Sequence, residues 1–270
     1  MSRDVIIAPE GKVNMSGSLY GKYIYPSSSY AAANMLEITE EELAQVNEAK
    51  SSSTNAPDFW ADFQNSGNRT DYSYAFANWN NTSIIPLYGL NNVDKCMYAL
   101  MNCKNLIDGR YITFNITNSN PNMMYVCANC SSMTHAPYFV FNNAPVIKTY
   151  TSMYASCSSL QSATVYWGNG TADPITTRNS CQNMFFKCTS IQEIDFGNSN
   201  TGSPIYLDLS ACEKLNQKSV ISLANSLMNV SAAASGVYTI KLSDVTYSGI
   251  SSDTLSMFEA KGWTLQTPTV

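Results

Sequence analysis

Residues 181–191 read CQNMFFKCTSI, and the same cadence stands three times before them: CMYALMNCKNL at 96–106, MMYVCANCSSM at 123–133 and YTSMYASCSSL at 150–160. The four segments align without a gap. Cys103, Cys130, Cys157 and Cys188 fall in one column, at spacings of 27, 27 and 31, inside the range of short stacked repeats. Seven residues before that column stand Cys96, Met123, Tyr150 and Cys181; four before it stand Ala99, Val126, Met153 and Met184; three after it stand Leu106, Met133, Leu160 and Ile191. Apolar residues at i, i+3, i+7 and i+10 predict one face of a helix. The repeat core is then the column pair Cys103, Cys130, Cys157, Cys188 and Leu106, Met133, Leu160, Ile191.

Behind each predicted helix comes a short aromatic and β-branched run, at 111–114, 138–141, 164–167 and 194–196, closed by Asn- or Gly-rich turns. Such runs predict strands. A degenerate copy precedes them, with Tyr74, Phe76 and Trp79 followed by Ile84, Ile85 and Leu87. One helix–strand–turn unit cannot bury its apolar face alone, so the units are expected to stack, over residues 56–206, into a solenoid with parallel strands on one side. Tyr111, Tyr138 and Tyr166 recur in the strand columns and are expected to pack between repeats.

Residues 184–196, MFFKCTSIQEIDF, resemble the BspA-like leucine-rich repeats of bacterial surface proteins and of structural proteins of gut tailed phages (crAss-like, Bacteroides-infecting). The resemblance covers roughly half the chain in four copies. It implies an α/β repeat fold, a leucine-rich-repeat-type solenoid with an irregular N-terminal arm and an α/β C-terminal cap. It also implies a binding scaffold engaged in adhesion, host contact or virion assembly. The ending from Leu255 to Trp263 is similar to C-terminal modules of gut-phage and Bacteroides-type repeat proteins.

Residues 1–55 are expected to form the arm. Thr39 with Glu42 three residues on is a capping box, Ile38 staples onto Leu43, and a short helix is predicted over 39–50. The Ser- and Pro-punctuated flanks fit either an attachment arm that orders on a partner or an ordinary terminus. At the other end, residues 207–270 read as the capping module. A helix is expected over 219–229, a strand over 237–242, and a last helix that Ser252 caps and that ends at Gly262.

Composition narrows the function. Only 13% of residues are charged, against about 25% in ordinary domains, and the formal net charge is −5 without a basic run. Nucleic acid is therefore not an expected partner. No segment has the length and hydropathy of a membrane span, and residues 1–12 lack the apolar core of a signal peptide, so neither anchoring nor export is expected from this sequence.

Chemistry has few candidates. Cys127 and Cys130 form a CxxC with no second pair, which reads as core rather than as a zinc or redox half-site. Cys96 and Cys103, like Cys181 and Cys188, would lie about 10 Å apart in a helix and should not bridge. His135 is the only histidine and is expected in an exposed loop. Glu193, Asp195 and Asp208 are the carboxylates that a glycan-cleaving reading would use. The reading favoured by the sequence is a non-enzymatic phage virion protein without cofactor or metal, a head or tail fibre or capsid decoration. It would dock to other virion subunits through residues 1–55, form a homo-oligomer, and present its repeats to a host-surface protein or glycan. A bacterial cell-surface adhesin and a glycan-cleaving phage protein are the alternatives.

Overall fold

Parallel strand pairing between residues about one repeat apart organises the chain. The computed structural model describes residues 23–24, 36–37, 70–74, 76–78, 90–141, 147–167, 180–197, 204–233 and 236–268. Within these, the protein is a mixed α/β structure with short parallel strands in three sheets. Strands β1 (Tyr23–Ile24) and β2 (Leu36–Glu37) form a small antiparallel pair. The parallel sheets are β3 (Leu90–Val93), β4 (Thr113–Ile116) and β5 (Tyr138–Phe141); β6 (Ser162–Thr164) and β7 (Glu193–Asp195); and β8 (Tyr206–Leu209), β9 (Thr239–Leu242) and β10 (Thr264–Gln266), in the order β10-β9-β8. The helix predicted over 39–50, and most of the degenerate copy from Trp79 to Leu87, lie outside the described residues.

Strand β5 falls on its predicted place, Tyr138–Phe141, while β4, β6 and β7 start one or two residues from theirs. Phe114 pairs with Phe139 and Asn115 with Val140. The third and fourth strands start at Ser162 and Glu193, two residues and one residue before the positions expected. Single bridges Asp108 to His135 and His135 to Ser162 carry the pairing from one sheet to the next.

The segments predicted as helices are not helical. Residues 97–102, 124–129, 151–156 and 180–187 are successive turns. In each copy the residues five and one before the column cysteine have positive φ: Tyr98 and Asn102, Tyr125 and Asn129, Ser152 and Ser156, Asn183 and Lys187. Tyr74 and Asn78 show the same pair one coil earlier. A left-handed residue every fourth position prevents the continuous run of right-handed residues that an α-helix needs. N–H groups that a helix would spend on its own preceding turn instead cross to the next coil. Tyr98 N donates to Met124 O (3.1 Å), Leu100 N to Val126 O (2.7 Å) and Asn102 N to Ala128 O (2.8 Å). The next two coil interfaces repeat the pattern, as in Cys127 N to Met153 O (2.9 Å) and Tyr154 N to Met184 O (3.0 Å). Local turns such as Cys103 N to Leu100 O (3.1 Å) use the alternate donors. Apolar spacing alone could not separate these arrangements, because coils with a left-handed residue at every fourth position also return side chains to the core at i, i+3 and i+7.

All four column cysteines are fully buried, and so are Leu106, Met133, Leu160 and Ile191. The thiols have a task besides filling space. Cys103 Sγ donates to Phe76 O (3.0 Å), Cys130 to Leu100 O (3.0 Å), Cys157 to Cys127 O (2.9 Å) and Cys188 to Tyr154 O (3.0 Å). Each thiol thus ties its own coil to a carbonyl of the preceding one. A single core cluster runs from Tyr72 to Trp263.

The C-terminal region uses true helices: α1 (Gln217–Ser226), α2 (Asp244–Ser248) and α3 (Ser252–Ala260). Each begins on a side-chain cap, with Asn216, Ser243 and Ser251 accepting from the N–H three residues on, which satisfies a donor the first turn leaves open. Helix α1 closes the edge of β7. Ser219 Oγ accepts from Ile194 N (2.8 Å), Ser222 Oγ from Phe196 N (3.1 Å) and Ser226 Oγ from Trp167 Nε1 (3.1 Å). These serines lie three and four apart on one helix face; Ser219 and Ser222 satisfy backbone donors at the β7 edge that would otherwise invite a further strand, and Ser226 satisfies a buried indole N–H. Lys261 then closes the C-terminal end of α1, donating to the carbonyls of Ala224, Asn225 and Leu227. Gly262, at φ +81°, passes so close to Ser231 that a Cβ would lie 2.6 Å from its Cα.

Candidate functional site

Six residues of each coil, those from six to one before the column position, form one recurring stretch. They read SYAFAN at 73–78, MYALMN at 97–102, MYVCAN at 124–129, TSMYAS at 151–156 and QNMFFK at 182–187. Lys187 is the only charged side chain in the five hexapeptides. The third and fourth positions turn inward: Ala99 and Leu100, Val126 and Cys127, Met153 and Tyr154, Met184 and Phe185 are all buried. The second and sixth are the left-handed residues; in the first three hexapeptides their side chains form two rows on the outside, whereas Ser152 in the fourth is buried.

Tyrosine makes the first row. Tyr74 stacks on Tyr98 with ring centroids 4.5 Å apart, and Tyr98 on Tyr125 at 5.2 Å, both pairs within 7° of parallel. Tyr74 is 57% exposed. Burial, then the neighbouring Tyr74 and Tyr125 hydroxyls, raise the Tyr98 phenol above its ordinary value, so it keeps its proton at neutral pH. Asparagine makes the second row: Asn102 Nδ2 donates to Asn78 Oδ1 (2.9 Å) and Asn129 Nδ2 to Asn102 Oδ1 (2.9 Å). Both ladders follow from in-register parallel coils, which put identical residues directly above one another. A left-handed backbone costs about 1–2 kcal/mol for most residues. Asparagine tolerates it well and tyrosine poorly, so the three tyrosines hold strained positions that stacking and the inter-coil hydrogen bonds offset.

His135 occupies a third row, five residues after the column cysteine, where Asp108, His135, Ser162 and Glu193 follow one another. It is half-buried rather than in an exposed loop, and its Nδ1 lies 2.7 Å from Ser162 Oγ. Burial is the largest cause that lowers its pKa, the Arg110 guanidinium adds to it, and Asp108 opposes it. Arg110 is itself held by Asp108, with Nη2 2.6 Å from Oδ2. Gly109 beneath has no room for a side chain, because a Cβ would lie 2.7 Å from both His135 O and the Pro137 ring. The packing around His135 is that of a framework.

The carboxylates are dispersed and locally engaged. Glu193 Oε1 meets Lys218 Nζ at 2.6 Å. Asp195 Oδ1 accepts from Gly197 N (2.9 Å), and Asp208 Oδ1 from Ser210 N (2.9 Å) and Ser210 Oγ (2.6 Å). Glu193 and Asp195 share one face of β7, whereas Asp208 is on β8 in another sheet. All eight cysteines are free and buried, and burial pushes the Cys96 thiol up to about 12. Cys127 and Cys130 are raised by burial as well, so this CxxC holds thiols and not thiolates. Among the described residues no group of three or more His, Cys, Asp or Glu could hold a metal ion, and no helix is long and apolar enough to cross a membrane.

Two features escaped the sequence reading. Cys212 and Leu215 repeat the column: Cys212 N donates to Leu209 O (2.9 Å), Leu215 N to Cys212 O (3.2 Å) and Asn216 N to Gln192 O (2.9 Å). The CxxL spacing shared with Cys103 and Leu106 could have shown it. The other is a cleft of about 440 Å³ lined by Tyr247, Leu255, Phe258, Glu259, Trp263 and Leu265 among others, formed where α3 meets β10. Of the three tyrosines expected between repeats, Tyr166 stacks on Phe141 at 5.0 Å and Tyr138 is half-buried. The side chain of Tyr111 lies outside the description.

Fold and site together define a class, a mixed α/β protein whose short parallel strands and ladder-forming turns repeat along the chain and leave a neutral Tyr and Asn face. Compared with family models, curated proteins and solved structures, the chain matches none.

Proposed function

We propose that this chain is a non-enzymatic binding scaffold, a short leucine-rich-repeat-type solenoid carried on a tailed-phage virion. Residues 1–55 would dock it to other virion subunits while the repeats face outward. The observation that carries the binding role is the face with its stacked tyrosines and linked asparagines, on which Lys187 is the only charged side chain. Aromatic residues backed by amides supply broad contact and adaptable hydrogen bonding at low entropic cost. Donor–acceptor matching between successive coils supports the solenoid. Local engagement of Glu193, Asp195 and Asp208 supports a framework role for those carboxylates. Placement on a virion rests on the resemblance of residues 184–196 to phage and bacterial-surface repeats.

The test is solution mass by light scattering for the full chain and for a version lacking residues 1–55, alone and mixed with candidate virion subunits. Circular dichroism would check that both fold. Oligomerisation or docking by the full chain, with a folded and monomeric truncated form, is the expected result. Indifferent monomers in both cases would overturn the docking role and leave a free-standing adhesin as the better account.

A further inference from the structure

We infer that the Tyr and Asn face is a binding site for a neutral, extended, β-linked polysaccharide lying along the direction in which the coils stack. This deepens the scaffold reading above and rests on it. Charge is the first argument. A face carrying no ionised side chain before Lys187 offers no steering to a charged partner and costs no desolvation of fixed charge when a neutral one binds.

Period is the second. Neighbouring coils are joined by backbone hydrogen bonds and so stand about 4.8 Å apart, and the tyrosine rings repeat at 4.5 and 5.2 Å. An extended β-1,4-linked pyranose chain advances by nearly the same step per sugar. A ligand in register would therefore meet the same pair of groups, one phenol and one amide, at each of three successive sugars. An α-linked chain of the same sugar curves away and loses register after one or two units. A folded protein partner has no reason to match such a row, since protein recognition concentrates in a few pocketed anchors.

Valence is the third. Asn102 and Asn129 each spend one N–H of Nδ2 on the ladder and keep a second, because a carboxamide has two. These donors stand in a row fixed by the ladder, so little rotamer entropy is lost when sugar hydroxyls engage them. The exposed ring of Tyr74 closes the stack at one end and offers an aromatic platform to the C–H face of a sugar.

The experiment titrates the full chain with cellohexaose and chitohexaose, and with maltohexaose as the α-linked isomer of the first, by isothermal calorimetry. Expected are saturable binding of at least one β-linked hexaose, weaker binding of its disaccharide, and none of maltohexaose. Tyr98→Ala should weaken binding roughly tenfold or more. Asn129→Asp, which keeps a residue tolerant of positive φ, should weaken it to a similar degree, with an unchanged circular dichroism spectrum showing that the fold persists. Three results would each overturn the inference: no heat with either β-linked hexaose at millimolar concentration, equal binding of maltohexaose, or binding indifferent to both substitutions. Light scattering reads the scaffold's docking role independently, so failure of the glycan site and failure of that role are distinguishable.

Discussion

The coils up to Cys188 and the region from Tyr206 onward solve one problem in two ways. Both bury apolar residues at i, i+3 and i+7, and both stack parallel elements on a shared core. The coils send alternate N–H groups to the next coil and hold a left-handed residue at every fourth position. The later region lets Gln217–Ser226 and Ser252–Ala260 close their own helical bonds and starts each helix on a side-chain cap. Apolar spacing therefore does not decide between helix and coil. The residues at the turning points contribute to the choice: asparagines that tolerate positive φ in the coils, capping Asn and Ser in the helices.

The largest expected effect tests whether the two regions share one core. Leu160 and Leu223 are both fully buried, one in a coil and one in α1. Truncating either to alanine should cost about 2–5 kcal/mol. In urea each variant should unfold in a single transition, coincident by tryptophan fluorescence and by circular dichroism. Two separate transitions, one moved by Leu160→Ala and the other by Leu223→Ala, would show two independent cores.

A smaller effect changes sign between the regions. At Asn102, with φ of 62°, alanine should be less stable than glycine by about 1 kcal/mol, because only glycine escapes the left-handed penalty. At Ile221, an exposed position inside α1, glycine should be the less stable by about 1 kcal/mol, as in any helix interior. Melting midpoints of the four variants would show the crossing. The same order at both sites would mean that the coils are helical in solution.

One buried hydroxyl of the coils differs from its paired counterparts in both regions, Thr149 and Tyr150 among them. Ser219, Ser226 and Thr246 are buried and hydrogen-bonded, whereas the buried Tyr154 hydroxyl has no partner among the described residues. Tyr154→Phe removes a desolvated polar group without changing the packing of its ring on Phe185. It should leave stability unchanged or raise it by up to about 1 kcal/mol, while Ser226→Ala, which strands the Trp167 indole N–H, should lower it by about 1–2 kcal/mol. A loss on Tyr154→Phe in a urea titration would mean that the hydroxyl has a partner in solution.

Much of this organisation was legible beforehand, for reasons that can be named. Cys103, Cys130, Cys157 and Cys188 stood out as a column because a thiol is small enough to sit where coils approach each other, and recurrence at one spacing is visible without any structure. The ends of α3 were legible to within a residue or two, because capping chemistry is local: the sequence puts the cap at Ser252 where Ser251 holds it, and the stop at Gly262 where the helix ends at Ala260. The outer face was not legible as two ladders. Tyr74, Tyr98 and Tyr125 occupy left-handed positions that tyrosine disfavours, so nothing in their local preference announced it. Only the in-register stacking of coils, a long-range property, brings their rings together.

Acid is expected to act through the coils first. Burial lowers the proton affinity of two basic groups, His135 among the coils and Lys261 at the end of α1. In both, the unfolded chain binds protons more readily than the folded one, so stability rises with pH through each group's window. For Lys261 that window lies at and below its ordinary value of 10.5, where most cellular conditions leave it charged in either state. For His135 it lies below 6.5. Its contribution is fully present above that pH and is lost as the pH falls toward the lowered folded value, where an imidazolium must sit beside Arg110. The expected readout is a melting midpoint that declines between pH 7 and pH 5 more steeply in the parent than in His135→Gln, whose side chain can still reach Ser162. Carboxylate protonation lowers both curves alike, so the difference between them isolates the histidine. Parallel curves would mean that His135 titrates as it does in an unfolded chain, and that the Asp108, His135 and Ser162 ladder is open to water.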